Sequence, residues 1–312
     1  MKAIVCKEFG PPSKLVLEDM EPLSPKKNEI LIDIHAAGVN FPDTLIIKDM
    51  YQFKPALPFT PGNEVAGVVS AIGEEVTAYS IGDEVIAMPA FGGYAEQIVV
   101  SPSQASKKPV NMDFATAACF STTYGTSHYG LKDKAQLKEG ETVLILGASG
   151  GVGSAVVQLV KRRGAKVIAI SSASKFEPLR QLGADQVLER GADLTQVLGD
   201  RSVDVAFDNV AGEGFGPILK VLKSGGRYAS SGAIAGPLVT LDMRHFYLKD
   251  LTLIGCTGWD EPVFQNLISY IENGEIKPLV ARTFDLKDMG LAQQLFLDKN
   301  HFGNFVLVPP AD

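Results

Sequence analysis

Residues 142–171 read TVLILGASGGVGSAVVQLVKRRGAKVIAIS. An apolar run of strand length, TVLILG (142–147), leads into a glycine-rich turn. A helical segment, SAVVQLVKRRG (154–164), follows and closes on glycine, and AKVIAIS (165–171) is a second strand. Two strands joined through a helix of this length pair in parallel, and further strands recur downstream at VDVAFDNV (203–210), GRYASSG (226–232) and DLTLIGC (250–256). Strands alternating with helices in this way predict a doubly wound parallel sheet from about Gly140 onward.

The turn itself has a chemistry. Glycines permit positive φ and let main-chain N–H groups approach a phosphate, and the following helix offers its positive end to a pyrophosphate. The strict GxGxxG pattern is not met, because the run reads Ala148-x-Gly150-x-x-Gly153. Its position between two strands of a βαβ unit is the context that supports dinucleotide binding, with Gly150, Gly151 and Val152 as main-chain contacts. A Walker A loop is excluded, since no Lys-Ser/Thr pair follows the glycines.

About 20 residues after such a turn, an acidic side chain ordinarily binds the adenosine ribose 2′-hydroxyl. Here Ser171, Ser172 and Lys175 stand there, with no acid until Glu177. Hydroxyls and an ammonium donate to a 2′-phosphate, so NADPH is expected over NADH. One or two charge-assisted hydrogen bonds at ~1.5–3 kcal/mol each give a preference on the order of 10- to 1000-fold. A plainer role is open beside this one: Ser171 or Ser172 caps the next helix and Lys175 is a solvated first-turn residue.

The first hundred residues have a different rhythm. AIV (3–5), ILIDIHAAG (30–38), EVAGVVSAIG (64–73), DEVIAM (83–88) and GYAEQIVVS (93–101) are short branched or alternating runs broken by Gly and Pro, which predicts a compact β-fold. The stretch from Glu261 holds one more helix and ends in NFVLV, a strand able to rejoin the first domain. The expected division is therefore 1–121 with 262–312, and 122–261. A net charge of −7 without long runs of either sign argues against nucleic acid or an anionic membrane as partner. The three cysteines, Cys6, Cys119 and Cys256, lie far apart and form no disulfide framework or thiolate cage. The start lacks a signal-peptide core, and the apolar runs fall short of the ~20 residues of a membrane span. A cytoplasmic protein is expected.

The whole layout resembles the medium-chain dehydrogenase/reductase superfamily. GVNFPDTLIIKDMY (38–51), LPFTPGNEVAGVVSAIG (57–73), IGDEVIAM (81–88) and LGASGGVGSAVVQLVKRRGAKVIA (146–169) are similar to its zinc-free quinone oxidoreductase (zeta-crystallin-like) branch. The resemblance implies an α/β protein: a β-rich GroES-like catalytic domain plus a doubly wound Rossmann domain. It places Asn40, Asp43 and Tyr51 beside the nicotinamide, with Asn40 on the carboxamide or a substrate oxygen and Tyr51 donating to the oxygen that gains charge. Asn40 also reads as a turn residue before Phe41-Pro42, Tyr51 as a loop aromatic, and Asp43 as a local helix cap. Thr126 matches a threonine at the nicotinamide end, or packs inside its helix. Asn209, Gly232, Ala233 and Cys256 follow predicted strands, at the carboxyl ends where doubly wound sheets bind ligands.

Zinc ligands are not expected. Gly62-Asn63-Glu64 stands where alcohol-dehydrogenase relatives carry Gly-His-Glu, and Val39-Asn40-Phe41 where a cysteine ligand would lie. His35, His128, His245 and His301 show no ligand spacing. Two departures from the family bear on the cofactor: Glu189-Arg190 replaces the usual Asn-Tyr, so that Arg190 can serve the 2′-phosphate or pair with Glu189, and Gly303-Asn304 replaces Gly-Lys. The expected activity is metal-free hydride transfer from NADPH to quinones or related conjugated carbonyls. A 2-enoyl or acrylyl-type alkene reductase is the nearest alternative, and a non-catalytic NADPH-binding protein a further one. The loops Lys48–Phe59 and Cys256–Pro262 are expected to line the acceptor pocket, and a homodimer is expected through the edge near Leu251 to Gly255.

Overall fold

In a computed structural model, which describes residues 1–258 and 261–310, the early apolar runs become strands. β1 (Lys2–Val5) pairs antiparallel with β2 (Val16–Asp19). β3 (Ile30–Val39), helix α1 (Phe41–Ile46), β4 (Val65–Ile72), β5 (Glu84–Ala87), β6 (Gln97–Val100) and β7 (Ala105–Lys107) follow. Helices α2 (Phe114–Ala117) and α3 (Ser121–His128) lead out of this region.

The second region alternates as expected. Its strands are β8 (Thr142–Leu146), β9 (Lys166–Ser171), β10 (Gln186–Glu189), β11 (Val203–Asp208), β12 (Leu222–Ser230) and β13 (Thr252–Gly255). The helices between and after them are α4 (Gly151–Arg162), α5 (Phe176–Leu182), α6 (Leu194–Leu198), α7 (Phe215–Val221), α8 (Met243–Tyr247) and α9 (Glu261–Glu272). The six strands form one parallel sheet in the order β10-β9-β8-β11-β12-β13. Val143, Leu144, Ile145, Val205, Ala206 and Phe207 are fully buried. Strands covered on both faces read as continuous apolar runs, which is why TVLIL is not alternating. The strand order reverses between β8 and β11, so this is a Rossmann-type sheet with its switch point after β8.

The chain then returns through β14 (Val280–Asp285), α10 (Met289–Leu297) and β15 (Asn304–Val308). β15, the NFVLV run, pairs antiparallel with β3 and parallel with β14, completing a GroES-like sheet in the order β14-β15-β3-β4-β5-β7 with β6 also on β3. The core of this sheet includes Ile30, Ile32, Ile34, Val65, Val69, Val85 and Leu307.

The chain divides into two compact units, Met1–Thr122 with Pro278–Asp312, and Thr123–Lys277. The return therefore begins at 278 rather than at 262. The reason is α9, whose Val263, Phe264, Leu267 and Ile271 are buried. It is tied to α4: Arg162 lies over the Tyr270 ring at 3.3 Å, and Gln158 donates to Lys277 O (3.0 Å) while accepting from Lys277 N (2.8 Å). The final stretch also contains β14 and a second helix, where one helix and one strand were expected. Ala311 and Asp312, the end of the expected C-terminal segment, lie outside the described residues, as do Trp259 and Asp260 within the expected Cys256–Pro262 lining.

Gly38 in β3 shows how tightly the first unit is packed. A Cβ there would sit 2.2 Å from Ala118 O, a backbone atom that cannot step aside. Gly38→Ala should destabilise the chain by about 1–3 kcal/mol in denaturant unfolding. The control Gly216→Ala in α7, whose Cβ meets nothing within 4 Å, should be neutral or slightly stabilising.

Candidate active site

All six strands of the parallel sheet point the same way, so their carboxyl ends share one edge. Gly147 leaves β8 with φ +72°, a conformation that glycine adopts without a Cβ penalty. Gly153 packs so closely under the turn that a Cβ would lie 2.1 Å from Gly147 O. Above it, Gly150 caps α4 with extended backbone, and a Cβ there would meet nothing nearer than 3.7 Å. The helix begins at Gly151, three residues before the expected start. The first-turn amides of α4 have no intrahelical acceptors. An open cradle of bare backbone at the positive end of a twelve-residue helix fits a pyrophosphate. Ser127 fastens this turn, donating to Thr123 O (2.7 Å) and Val152 O (3.1 Å). Sequence reading picked its neighbour Thr126, which is half-buried beside it.

At the end of β9 the polar residues gather. Ser171 is buried, and its hydroxyl has no partner among the described residues. Ser172 precedes a single 3₁₀ turn, Ala173–Lys175, with its side chain making no cap bond, and Lys175 N donates to Ser172 O (2.9 Å). Arg190 N donates to Ser171 O (3.1 Å), which brings the exposed Arg190 to the same place. Among the described residues Glu189 forms no ion pair with it. Ser172 and Lys175 thus stand on the turn after β9 and Arg190 just after the neighbouring β10, while Ser171 is withdrawn.

Further along the edge, Asn209 accepts from the Ser231 hydroxyl and directs Nδ2 to Leu146 O (3.4 Å). Gly232 lies against Asn209 O, where a Cβ would come to 3.1 Å, and Ala233 is exposed. Cys256 is buried and its N–H bonds Ser230 O (2.9 Å); burial pushes its thiol pKa up, away from reactivity. Sequence reading missed Asp208, which is fully buried and accepts from Val210 N (2.7 Å), Ala211 N (3.1 Å) and the Tyr228 hydroxyl (2.6 Å). An acid ending the apolar run VDVAFD was the available signal.

In the first unit, the loop after β3 builds a buried polar cluster. Asn40 and Asp43 form the capping box of α1, with Asn40 N donating to Asp43 Oδ2 (2.9 Å). The Tyr94 hydroxyl donates to the same Oδ2 (2.5 Å). Asn40 Nδ2 donates to Glu64 Oε2 (3.0 Å) and to Asn63 Oδ1 (3.2 Å). Glu64 has no solvent exposure and also accepts from Ser121 N and Thr122 N (3.1 Å). Burial drives its pKa up to about 7 against these hydrogen bonds, and drives Asp43 up to about 6. Tyr51 packs on Cys6, Ile46, Ile47 and Phe59, and its hydroxyl makes no hydrogen bond among the described residues. The loop it belongs to exposes Met50, Phe53 and Leu57.

Three of the four histidines pack on aromatic rings in this structure. His35 stacks on Phe114, His301 on Phe296, and His128 lies beside Tyr270. Among the described residues no three His, Cys, Asp or Glu side chains lie close enough to hold a metal ion.

Comparison with known proteins places both units. Residues 26–110 match the alcohol dehydrogenase GroES-like domain, and residues 151–273 the zinc-binding dehydrogenase family. The chain is 32% identical to a quinone oxidoreductase of Rattus norvegicus over 94% of its own length and 93% of the relative's. A solved quinone oxidoreductase from Pseudomonas syringae pv. Tomato DC3000 superposes with a TM-score of 0.90 at 28% identity, covering 99% of each chain. The structure of CurK enoyl reductase superposes with a TM-score of 0.87 at 28% identity, again over 99% of each.

The buried carboxyls set a pH dependence. Glu64 and Asp43 hold their protons more tightly in the folded chain than in the unfolded one. The stability they contribute is complete below the unfolded carboxylate pKa, about 4, and is lost as pH rises toward 7. The melting temperature of Glu64→Gln should therefore fall less than that of the wild type between pH 4.5 and 7. Equal slopes would assign the dependence to other groups.

Proposed function

Because the chain belongs to the quinone oxidoreductase family of the medium-chain dehydrogenase/reductase superfamily, and is an oxidoreductase of a nicotinamide cofactor, we propose that it is an NADPH-dependent, zinc-independent reductase of quinones or related conjugated carbonyls. The observation that carries the cofactor choice is that Ser172 and Lys175 follow β9, and Arg190 follows the adjacent β10, where an acid ordinarily stands. An ammonium and a guanidinium there favour a 2′-phosphate, and no carboxylate lies on β9 to repel it.

The bound nicotinamide supplies a hydride. The residues of the chain do the rest. Gly150, Gly151 and Val152 hold the pyrophosphate through main-chain N–H groups. Asn209, Gly232, Ala233 and Cys256 offer main-chain contacts along the strand ends, with Thr126 beside the first turn of α4. Asn40 and Tyr51 orient the acceptor. Asp43, whose Oδ2 accepts from both Asn40 N and the Tyr94 hydroxyl, and the closely packed loop from Gly62 to Glu64 support that region.

A second reading is reduction of a conjugated carbon–carbon double bond. It draws support from the enoyl reductase likeness, since hydride delivery to a quinone and to an enone makes the same demand on the oxygen that gains charge. We also propose a homodimer formed through β13. This strand ends the sheet; Leu253 on it, and Tyr247 and Leu248 just before it in the chain, are exposed apolar side chains. Light scattering should give about twice the 33.3 kDa of one chain; a mass of one chain would remove the dimer.

NADPH oxidation should be followed against quinones, enones and enoyl thioesters, with NADH as control. Turnover of quinones, insensitive to added zinc or to a chelator, is expected. Preference for enones would move the assignment to alkene reduction, and zinc-dependent turnover would overturn the metal-free reading. Lys175→Ala should weaken NADPH binding on the order of 10-fold while sparing NADH, whereas equal losses for both would remove Lys175 from the 2′-phosphate.

A further inference from the structure

Asn40 has no donor left to give. One amide hydrogen goes to Glu64 Oε2 (3.0 Å), the other to Asn63 Oδ1 (3.2 Å). Its carbonyl oxygen faces the Asp43 N–H in the capping box of α1. Turning the amide over would set that oxygen against the Glu64 carboxylate, which accepts hydrogen bonds and offers none when ionised. The orientation of Asn40 is thus dictated by Glu64.

The same logic passes one residue further. Asn63 must present Oδ1 to Asn40, so its Nδ2 is turned away from that contact and has no partner among the described residues. Asn63 is only half-buried, unlike Asn40 and Glu64, so these amide hydrogens are open to a ligand. Its backbone is held on both sides: Gly93 N bonds Gly62 O (2.9 Å), Tyr94 N bonds Pro61 O (2.9 Å), and Gly38 N bonds Glu64 O (3.0 Å). Gly62 has φ +95°, and a Cβ there would strike the Tyr94 ring at 2.6 Å. A donor on such a support is oriented before any ligand arrives.

We propose that Asn63 is a catalytic residue whose Nδ2 donates to the carbonyl oxygen of the acceptor, and that Glu64 and Asn40 are the positioning residues that aim it. The proposal rests on the reductase reading above. Hydride from the reduced nicotinamide brings one hydrogen and two electrons to the conjugated system. The acceptor's π pair moves onto its carbonyl oxygen, which becomes anionic and later takes a proton from water. A donor fixed on that oxygen is worth more as its charge grows, so its effect falls on kcat rather than on cofactor affinity. Asn40 contributes to the acceptor through Asn63 and not by a donor of its own.

Asn63→Asp separates the parts. The new carboxylate still accepts from Asn40 Nδ2, but it supplies no N–H and sets a negative charge against the oxygen. With NADPH and a quinone, kcat should fall by about 100-fold. The NADPH dissociation constant, read from nucleotide fluorescence, and the melting temperature should stay close to wild type. Glu64→Gln places an amide N–H toward Asn40, reverses both downstream amides and should lower kcat in the same sense. The double variant should be no worse than the poorer single one, because both act on one relay. Wild-type kcat in Asn63→Asp, or a loss confined to NADPH binding, would overturn the proposal alone. A wild type that turns over neither quinones nor enones would overturn the reductase reading and the proposal with it.

Discussion

A carboxylate shut away from water organises the polar part of the first unit. Glu64 gathers the amide of Asn40, which follows β3, and the main-chain N–H groups of Ser121 and Thr122 at the start of α3. Removing an acid from water is costly, and the cost is offset only while its lone pairs are filled. Three segments far apart in sequence are therefore held to one point. The tight approach of Gly38 to Ala118 O follows from the same convergence, since a side chain there would push the strand off the helices that carry the donors.

The second unit relies on a different constraint, the geometry of a parallel sheet. Its strands all end on one edge, so groups spread over more than a hundred residues of sequence line up there: Gly147, Ser172, Asn209, Gly232 and Cys256. The turn after β8 closes because Gly153 has no Cβ to strike Gly147 O. That contact lets α4 start immediately beneath the turn, where its first-turn amides have no intrahelical acceptors. Asp208 plays a part like that of Glu64 at this edge, fastening the turn after β11 through two amides and Tyr228.

Much of this was legible in the residues. Buried parallel strands must be apolar throughout, so β8, β9 and β11 stood out, and the glycines between β8 and α4 carried their own backbone requirement. Less was legible where neighbours decide. VARTFD (280–285) carries charge and becomes β14 because β15 offers it a partner edge. α9 was assigned to the first unit from its position late in the chain, yet its apolar face and the Arg162–Tyr270 contact place it with α4. The serines after β9 looked alike in sequence, and only burial distinguishes the withdrawn Ser171 from Ser172.

The class of fold, the glycine-rich turn after β8 and the absence of an acid between β9 and Glu177 could be read along the chain. Each of these is written in local period, in glycine positions or in charge, which act over a few residues. The direction of the amides at Asn40 and Asn63, the burial of Glu64 and the packing of Tyr51 on Phe59 came from tertiary contacts alone. A hydrogen-bond direction depends on what stands on the other side of the side chain, and here that partner comes from 23 or 24 residues away. No pattern along the chain encodes such a distance, because packing of β4 against β3 creates it.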